Sequence, residues 1–288
     1  MKDFVQKISL FGGILAAGTA ALLFALEKVF PLRKRRYPLA ARLPVNLAMT
    51  AVSFLAGSFV SKLVSLRLSY WVEERQFGLA NAFRLPAPMK FMLGFLMMDL
   101  SFYYWHRLNH EVPLLWRFHN VHHVDPDLDV TTSFRFHVCE VLYSAGFRAA
   151  QVLFIGISPI TYMVYEVAFT CETAFHHSNL RLPVNAERAL GRVLVTPRMH
   201  GIHHSWVKEE TNSNYSIIFR WWDVLHGTLR LGVPQSEINI GVPAYALPAD
   251  NTFVGLMRMP FERQRNYWRM PDGGRPSRAV TDPLLMLE

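Results

Sequence analysis

RFHNVHH, residues 117–123, sets His119, His122 and His123 into an otherwise oily chain, and RMHGIHH, residues 198–204, repeats the arrangement with His200, His203 and His204. HRLNH, residues 106–110, adds His106 and His110. On an α-helix, residues three and four apart share a face. His106 and His110 are such a pair, and in each H-x2-H-H run the first histidine has both others as face neighbours. Helix signals sit where this reading needs them. Thr196-Pro197 places an N-cap and a first-turn proline just before His200, and Pro113 can start the helix that carries His119. Three helices can therefore aim imidazoles at one point. Eight nitrogen donors exceed what one tetrahedral zinc uses, whereas two metal ions with four or five ligands each use them all. Imidazole suits zinc, iron, copper and nickel alike. A lone interior histidine is usually a hydrogen-bonding core residue, and scattered histidines can form a pH sensor. Neither alternative accounts for three groups at helical ligand spacing.

His137 in SFRFHVCE and His177 in AFHHSN are further candidates, as ligands or as supports of ligands, whereas His176 and His226 read as bystanders. Two divalent ions among neutral imidazoles leave their positive charge uncancelled, so nearby carboxylates are expected to offset it and orient the rings. Asp99, seven residues before His106 on the same helical face, is one candidate. Glu140 and Asp223 are the others. The bland reading of each is a helix-end or turn acid.

The chain has 288 residues, of which 51% are hydrophobic and 13% aromatic. It is too apolar for an ordinary soluble domain of this length. Ile8 to Leu26 and Leu43 to Ser61 hold no charge, and each is close to the ~20 residues that cross a hydrocarbon core. Phe91 to Trp105 is a third apolar segment. Val141 to Thr170, bent at Gly156-Ile157-Ser158-Pro159, reads as a hairpin of two short helices. The fold expected is an all-α integral membrane protein with about four transmembrane helices and a cytoplasmic helical cap that carries a histidine-rich dimetal site. The first segment resembles a signal peptide in its small residues, but its apolar run is longer than the usual 7–15 residues, and Arg33-Lys34-Arg35-Arg36 follows it as a cytoplasmic anchor would require. From that cluster, counting segments places all 12 histidines on the cytoplasmic side. Cys139 and Cys171 are expected to be buried thiols in a reducing compartment.

The divisions expected are residues 1–89 as N-terminal membrane helices, 90–262 as the catalytic region and 263–288 as a tail rich in Pro, Met and Arg. A net charge of +8 carries no aromatic-interleaved basic patch, so nucleic-acid binding is not indicated. No nucleophile with base and orienter, phosphate loop or G-x-G-x-x-G is present. A metal transporter would gather its ligands near the bilayer midplane rather than beyond the helix ends. A scaffold holding a structural metal pair is the other alternative.

HRLNH, WRFHNVHH, FHHSNLRLP, TPRMHGIHHS, NSNYS and WWDVLHGTL, in this order, resemble the fatty acid hydroxylase/sterol desaturase superfamily, over roughly residues 90 to 262, and the look is of a bacterial sterol-desaturase-like branch. The resemblance implies a membrane-bound oxidoreductase with two iron ions that uses O2 to hydroxylate or desaturate a C–H bond of a lipid. It implies His106, His110, His119, His122, His123, His200, His203 and His204 as ligands. It also matches His177 to an H-x-N box and His137 to a histidine after an arginine, here Arg135. Ser216 stands where the family often has glycine, and His226 where an aromatic is common. The chain carries no flavin, haem or iron–sulfur signature. Electrons are therefore expected from NAD(P)H through a ferredoxin or cytochrome b5-type donor attracted to the basic face. A bacterial inner membrane is the expected location. Trp206, Trp221 and Trp222 are candidates to line the lipid's way in or to anchor the interface.

Overall fold

A computed structural model of the chain describes residues 2–60, 64–83 and 85–278. Within them the structure is helical, with short 3-10 turns, no strand, and three isolated bridges, Pro31 to Leu180, Leu194 to Phe219 and Ser205 to Ile240, that pin loops together. The helices are α1 (Lys2–Val29), α2 (Leu39–Val60), α3 (Leu66–Arg75), α4 (Leu79–Ala82), α5 (Ala87–Glu111), α6 (Pro113–His123), α7 (Val138–Ile155), α8 (Pro159–His177), α9 (Val184–Leu190), α10 (Pro197–His203), α11 (Lys208–Thr211), α12 (Trp221–His226) and α13 (Phe253–Arg258).

Asp3 in the first turn of α1 and Lys28 in its last complement the helix dipole. Much of α1 is turned outward: Leu10, Phe11, Ile14, Leu15 and Leu22 are exposed. So continuous an apolar surface suits lipid rather than water. Asp3–Val29, Leu39–Gly57 and Val138–Ile155 are long and apolar enough to cross a membrane. α5 and α8, which hold the expected third crossing and the second arm of the hairpin, are not in that set. Asp99 and Asn109 on α5 and Glu166 and Glu172 on α8 interrupt their apolar character.

The hairpin expected over 141–170 takes a different form. Its bend is where the sequence puts it: Gly156 ends α7 at φ 84°, and the Ser158 hydroxyl caps α8 by accepting from Thr161 N. Gly78 and Gly156 are both at positive φ, and a Cβ on Gly78 would collide with the Gly156 backbone, so glycine at each lets α4 press against this turn. The two arms, however, do not pack along each other. α1 lies against α8, α2 against α7, and α3 and α5 touch both arms. The arms are linked by an ion pair between Arg148 Nε and Glu166 Oε1 at 3.0 Å, and a cavity opens between them.

The basic cluster after α1 is built into the fold. Arg33 is buried, donating to Pro197 O at 3.2 Å and Gln235 Oε1 at 2.6 Å. Its guanidinium lies where a side chain at Gly201 would stand, so glycine in RMHGIHH leaves room for Arg33 over α10. Asp127 accepts from Arg36 N at 3.0 Å and Tyr37 N at 2.8 Å. Arg42 on α2 binds Asp125 at 2.7 Å and Asp129 at 2.7 Å, and Arg135 reaches Asp125 at 3.2 Å. Burial alone would raise the Asp125 carboxyl, but Arg42 and Arg135 overcome it and hold it at about 2. The D-x-D-x-D run after His123 thus ties the first two helices to the histidine-bearing segment.

Candidate metal centre

Four segments converge. α5 brings His106 and His110 one turn apart; α6 brings His119, His122 and His123; the last residue of α8 is His177; α10 and its C-cap bring His200, His203 and His204. All nine are buried. They sort into two groups, His106, His110, His119, His123 and His203 in one, and His122, His177, His200 and His204 in the other, each with one ligand atom per residue lying within 4.8 Å of the rest.

In the second group the Nε2 atoms meet: His177 to His122 at 3.0 Å, His200 to His177 at 3.0 Å and His204 to His200 at 3.1 Å. His177 Nδ1 donates to Thr173 O at 2.8 Å. A neutral imidazole has one donor and one acceptor nitrogen, so this bond leaves His177 Nε2 with a lone pair and no proton. One lone pair cannot satisfy two neighbouring ring nitrogens as a linear hydrogen bond to each. A cation placed among four lone pairs can.

The first group repeats the logic. His106 Nδ1 donates to Tyr215 O at 2.8 Å, His203 Nδ1 to Ser213 O at 2.7 Å, and His119 Nδ1 to Glu140 Oε1 at 2.7 Å. Each bond fixes the tautomer that presents Nε2 inward, the arrangement usual for a metal-bound histidine. Among the described residues no hydrogen-bond partner exists for either ring nitrogen of His123, nor for Nε2 of His119 and His203. Buried polar nitrogens without partners are costly. So dense a set fits a pair of cations and suits no arrangement of neutral rings alone. Burial is the first cause holding these imidazoles neutral: it pushes His106 and His177 down to about 3, and His122, His123, His200, His203 and His204 well below the ordinary range.

The remaining candidates separate. His137 lies outside both groups, with Nδ1 accepting from Cys139 N at 3.1 Å as the N-cap of α7 and Nε2 at 3.2 Å from Met257 O. Both nitrogens are thus engaged in holding α7 and the C-terminal segment. His176, read as a bystander, is buried with its ring 4.1 Å from that of His200 and its Nδ1 at 3.2 Å from Ile217 O. His226 binds Tyr104 and Trp222 instead.

The three carboxylates play different parts. Glu140 touches His119 directly. Asp99 accepts from Ile218 N at 3.3 Å, Phe219 N at 3.1 Å and Trp222 Nε1 at 2.7 Å. Asp223 accepts from Tyr215 N at 2.8 Å and Ser216 N at 2.9 Å, while Ser216 Oγ accepts from Asp223 N. Neither aspartate meets a histidine. They clamp residues 215–219, the loop whose carbonyls orient His106 and His176. Trp222 is thereby engaged with Asp99. The supports the sequence did not reveal are backbone carbonyls, of Thr173, Ser213 and Tyr215; NSNYS was visible as a motif, but not which of its atoms faces a ring.

A cavity of about 380 Å³ reaches this cluster. His106, His119, His122, His177 and His200 form part of its wall; Phe54, Phe102, Phe134, Phe136 and Phe169 also line it, as do Arg148 and Glu166. It runs between α7 and α8 and is apolar enough for a lipid chain.

The fatty acid hydroxylase family matches residues 91–228. The chain is 29% identical over 180 residues to the ornithine lipid hydroxylase OlsE of Rhizobium tropici, covering 62% of this chain and 52% of that protein. It is 30% identical over 148 residues to human alkylglycerol monooxygenase, covering 51% of this chain and 32% of the relative. The cholesterol 25-hydroxylase-like protein of Danio rerio is 31% identical over 204 residues, covering 68% of this chain and 78% of its own length. The chain spans about half the length of the ornithine lipid hydroxylase and a third of the human monooxygenase. No solved structure matches it. Histidine spacing, buried convergence and these likenesses together place it: the chain belongs to the fatty acid hydroxylase/sterol desaturase superfamily.

Proposed function

We propose that the chain is a membrane-bound lipid hydroxylase whose nine convergent histidines hold two iron ions, with residues 90–262 as the catalytic region, the site at the cytoplasmic edge of a bacterial inner membrane, and electrons supplied from NAD(P)H by a separate ferredoxin or cytochrome b5-type donor. The observation that carries this is two groups of buried imidazoles, with partnerless nitrogens, at the end of an apolar cavity between membrane helices. That the relatives are named as hydroxylases and monooxygenases of lipids favours hydroxylation over desaturation.

Bound iron would supply the O2-dependent chemistry that breaks an unactivated C–H bond, which acid/base side chains at ordinary pKa values cannot do. The balance is RH + O2 + 2e− + 2H+ giving ROH + H2O, so two electrons enter per turnover. The chain's own residues perform the positioning. Glu140 and the carbonyls of Thr173, Ser213 and Tyr215 fix ring orientation. The phenylalanine wall excludes water and seats an alkyl chain with one segment against the histidines.

The test is twofold. Deleting the gene should remove from the lipid extract a species one oxygen heavier than an accumulating one. Iron-loaded protein in nanodiscs should consume O2 and form that species with a donor system. Metal flux in proteoliposomes, or tightly held metal, without O2 consumption for any lipid offered would overturn the reading in favour of a transporter or a scaffold.

A further inference from the structure

The histidines of the first group face two ways. His106 and His119 line the cavity, whereas His110 and His123 do not. Those two instead meet Trp116, whose ring lies 4.8 Å from His110 and 5.2 Å from His123. Trp116 is buried in the core, and the ring stacked on it is Trp268, at 5.8 Å and 27°. Tyr267 meets Trp116 edge-on at 5.9 Å. Trp268 is partly exposed. A continuous aromatic file therefore runs from the histidine cluster to the protein surface, and it leaves the cavity free.

The surface where it emerges is basic. Arg263 and Arg269 flank Trp268 in sequence and are exposed, and Arg117, next to Trp116 on α6, stands close enough to Tyr267 to act on its hydroxyl. Arg265 is neutralised by Asp250 at 2.7 Å, but Arg117, Arg263 and Arg269 make no salt bridge among the described residues. Unpaired cations around a partly exposed tryptophan form a steering field for an acidic protein.

We infer that Trp268 and Trp116 form the path by which electrons reach the metal centre, and that the arginine-ringed surface around Trp268 docks an acidic one-electron carrier protein. The inference rests on the proposed function. Electron transfer through protein falls off exponentially with the gap between carriers, and stacked rings shorten the gap while the cavity is filled by lipid. Each encounter oxidises the carrier by one electron and reduces the centre by one, so two encounters supply one turnover. The tryptophans couple donor to acceptor and are unchanged by the passage. Trp268 is a positioning residue, and plain core packing is the alternative to be tested against.

The experiment uses the iron-loaded full chain in nanodiscs, with a plant-type [2Fe–2S] ferredoxin kept reduced by NADPH and its reductase as one reductant and dithionite as the other. Stopped-flow absorbance reads the reduction of the centre. Trp268→Leu is expected to lower the ratio of the ferredoxin-driven to the dithionite-driven rate several-fold, with Trp268→Phe recovering part of it. The surface variant Arg263→Glu/Arg269→Glu is expected to slow ferredoxin association about tenfold at low salt, the difference closing at high salt. It should also weaken binding of oxidised ferredoxin to metal-free protein, which reads docking without any turnover. An unchanged ratio in Trp268→Leu together with unaltered salt dependence in the charge-swapped variant would overturn the inference. So would a parent protein reduced by dithionite and never by the ferredoxin. A parent that neither reductant reduces would instead sink the functional reading on which the inference stands.

Discussion

Glu140, in the first turn of α7, accepts a hydrogen bond from His119 Nδ1 at 2.7 Å, joining a helix long and apolar enough to cross a membrane to the histidine cluster. The carboxylate fixes which ring nitrogen points inward. Glu140→Gln keeps the shape and loses the charge. Outer partners of this kind typically matter 10–100-fold in metal affinity, so the variant should lose about 10-fold or more. A chelator competition titration checks it. Equal affinity in parent and variant would reduce Glu140 to a packing residue.

His122→Ala with His204→Ala removes two of the four histidines of the second group, the proposed ligands of one ion. Metal content should fall from about two ions per chain toward one, since two remaining imidazoles make a poor site. Elemental analysis of protein purified without added metal gives the answer. A double variant that still holds the parental amount would show that the second group is not a site.

Asp99→Asn leaves two backbone N–H groups and the Trp222 indole facing an amide that matches only part of them. Leaving buried donors unsatisfied costs about 1–3 kcal/mol. The melting temperature should drop, and the signal from His106 should broaden as residues 215–219 loosen. Asp223→Asn is expected to behave alike, through Tyr215 N and Ser216 N.

Acid should unload and then unfold the protein. Burial lowers the folded-state pKa of His106 and His177 to about 3, against an ordinary value of 6.5. The neutral form is therefore the folded form. Its contribution to stability is complete above pH 6.5 and drains away as pH falls toward 3, by about 1.4 kcal/mol per pH unit for each histidine. Because protons compete with the metal for the same nitrogens, metal release should begin in the same window. Denaturant midpoints of metal-free protein at pH 7.5, 6.5 and 5.5 should be similar at the first two and clearly lower at the third. A midpoint flat down to pH 5.5 would contradict this.

The histidine boxes were legible because helical periodicity is local: His106 with His110, and the two H-x2-H-H runs, announce a shared face without any partner in view. Pro113 and Pro197 mark the starts of α6 and α10 for the same reason. What escaped the sequence depends on contacts between distant residues. Nothing near Arg33 foretells that it will lie over Gly201, and nothing near Asp125 names Arg42 and Arg135 as its partners. His137 read as a ligand or a support of one because its neighbours resemble a family pattern; in the fold it lies outside both groups, and its position at the start of α7 lets the ring cap the Cys139 N–H. His176, read as a bystander, lies outside both groups, yet a run of two histidines at a helix end did not reveal that its ring packs on His200. The splayed arms of the hairpin escaped too, because α1 and α2, and not the sequence between the arms, decide where α7 and α8 find their packing.

Adjacent residues on a helix point about 100° apart. That is why His122 and His123, and likewise His203 and His204, serve different groups while sharing a peptide bond. Each doubled motif works as a yoke, and the spacing between the two groups is held by covalent backbone. Filling one site orders the rings that border the other, so the second ion meets a scaffold whose entropy has already been spent. Positive coupling between the two proposed metal positions is therefore expected, and a metal titration of the ion-free chain tests it.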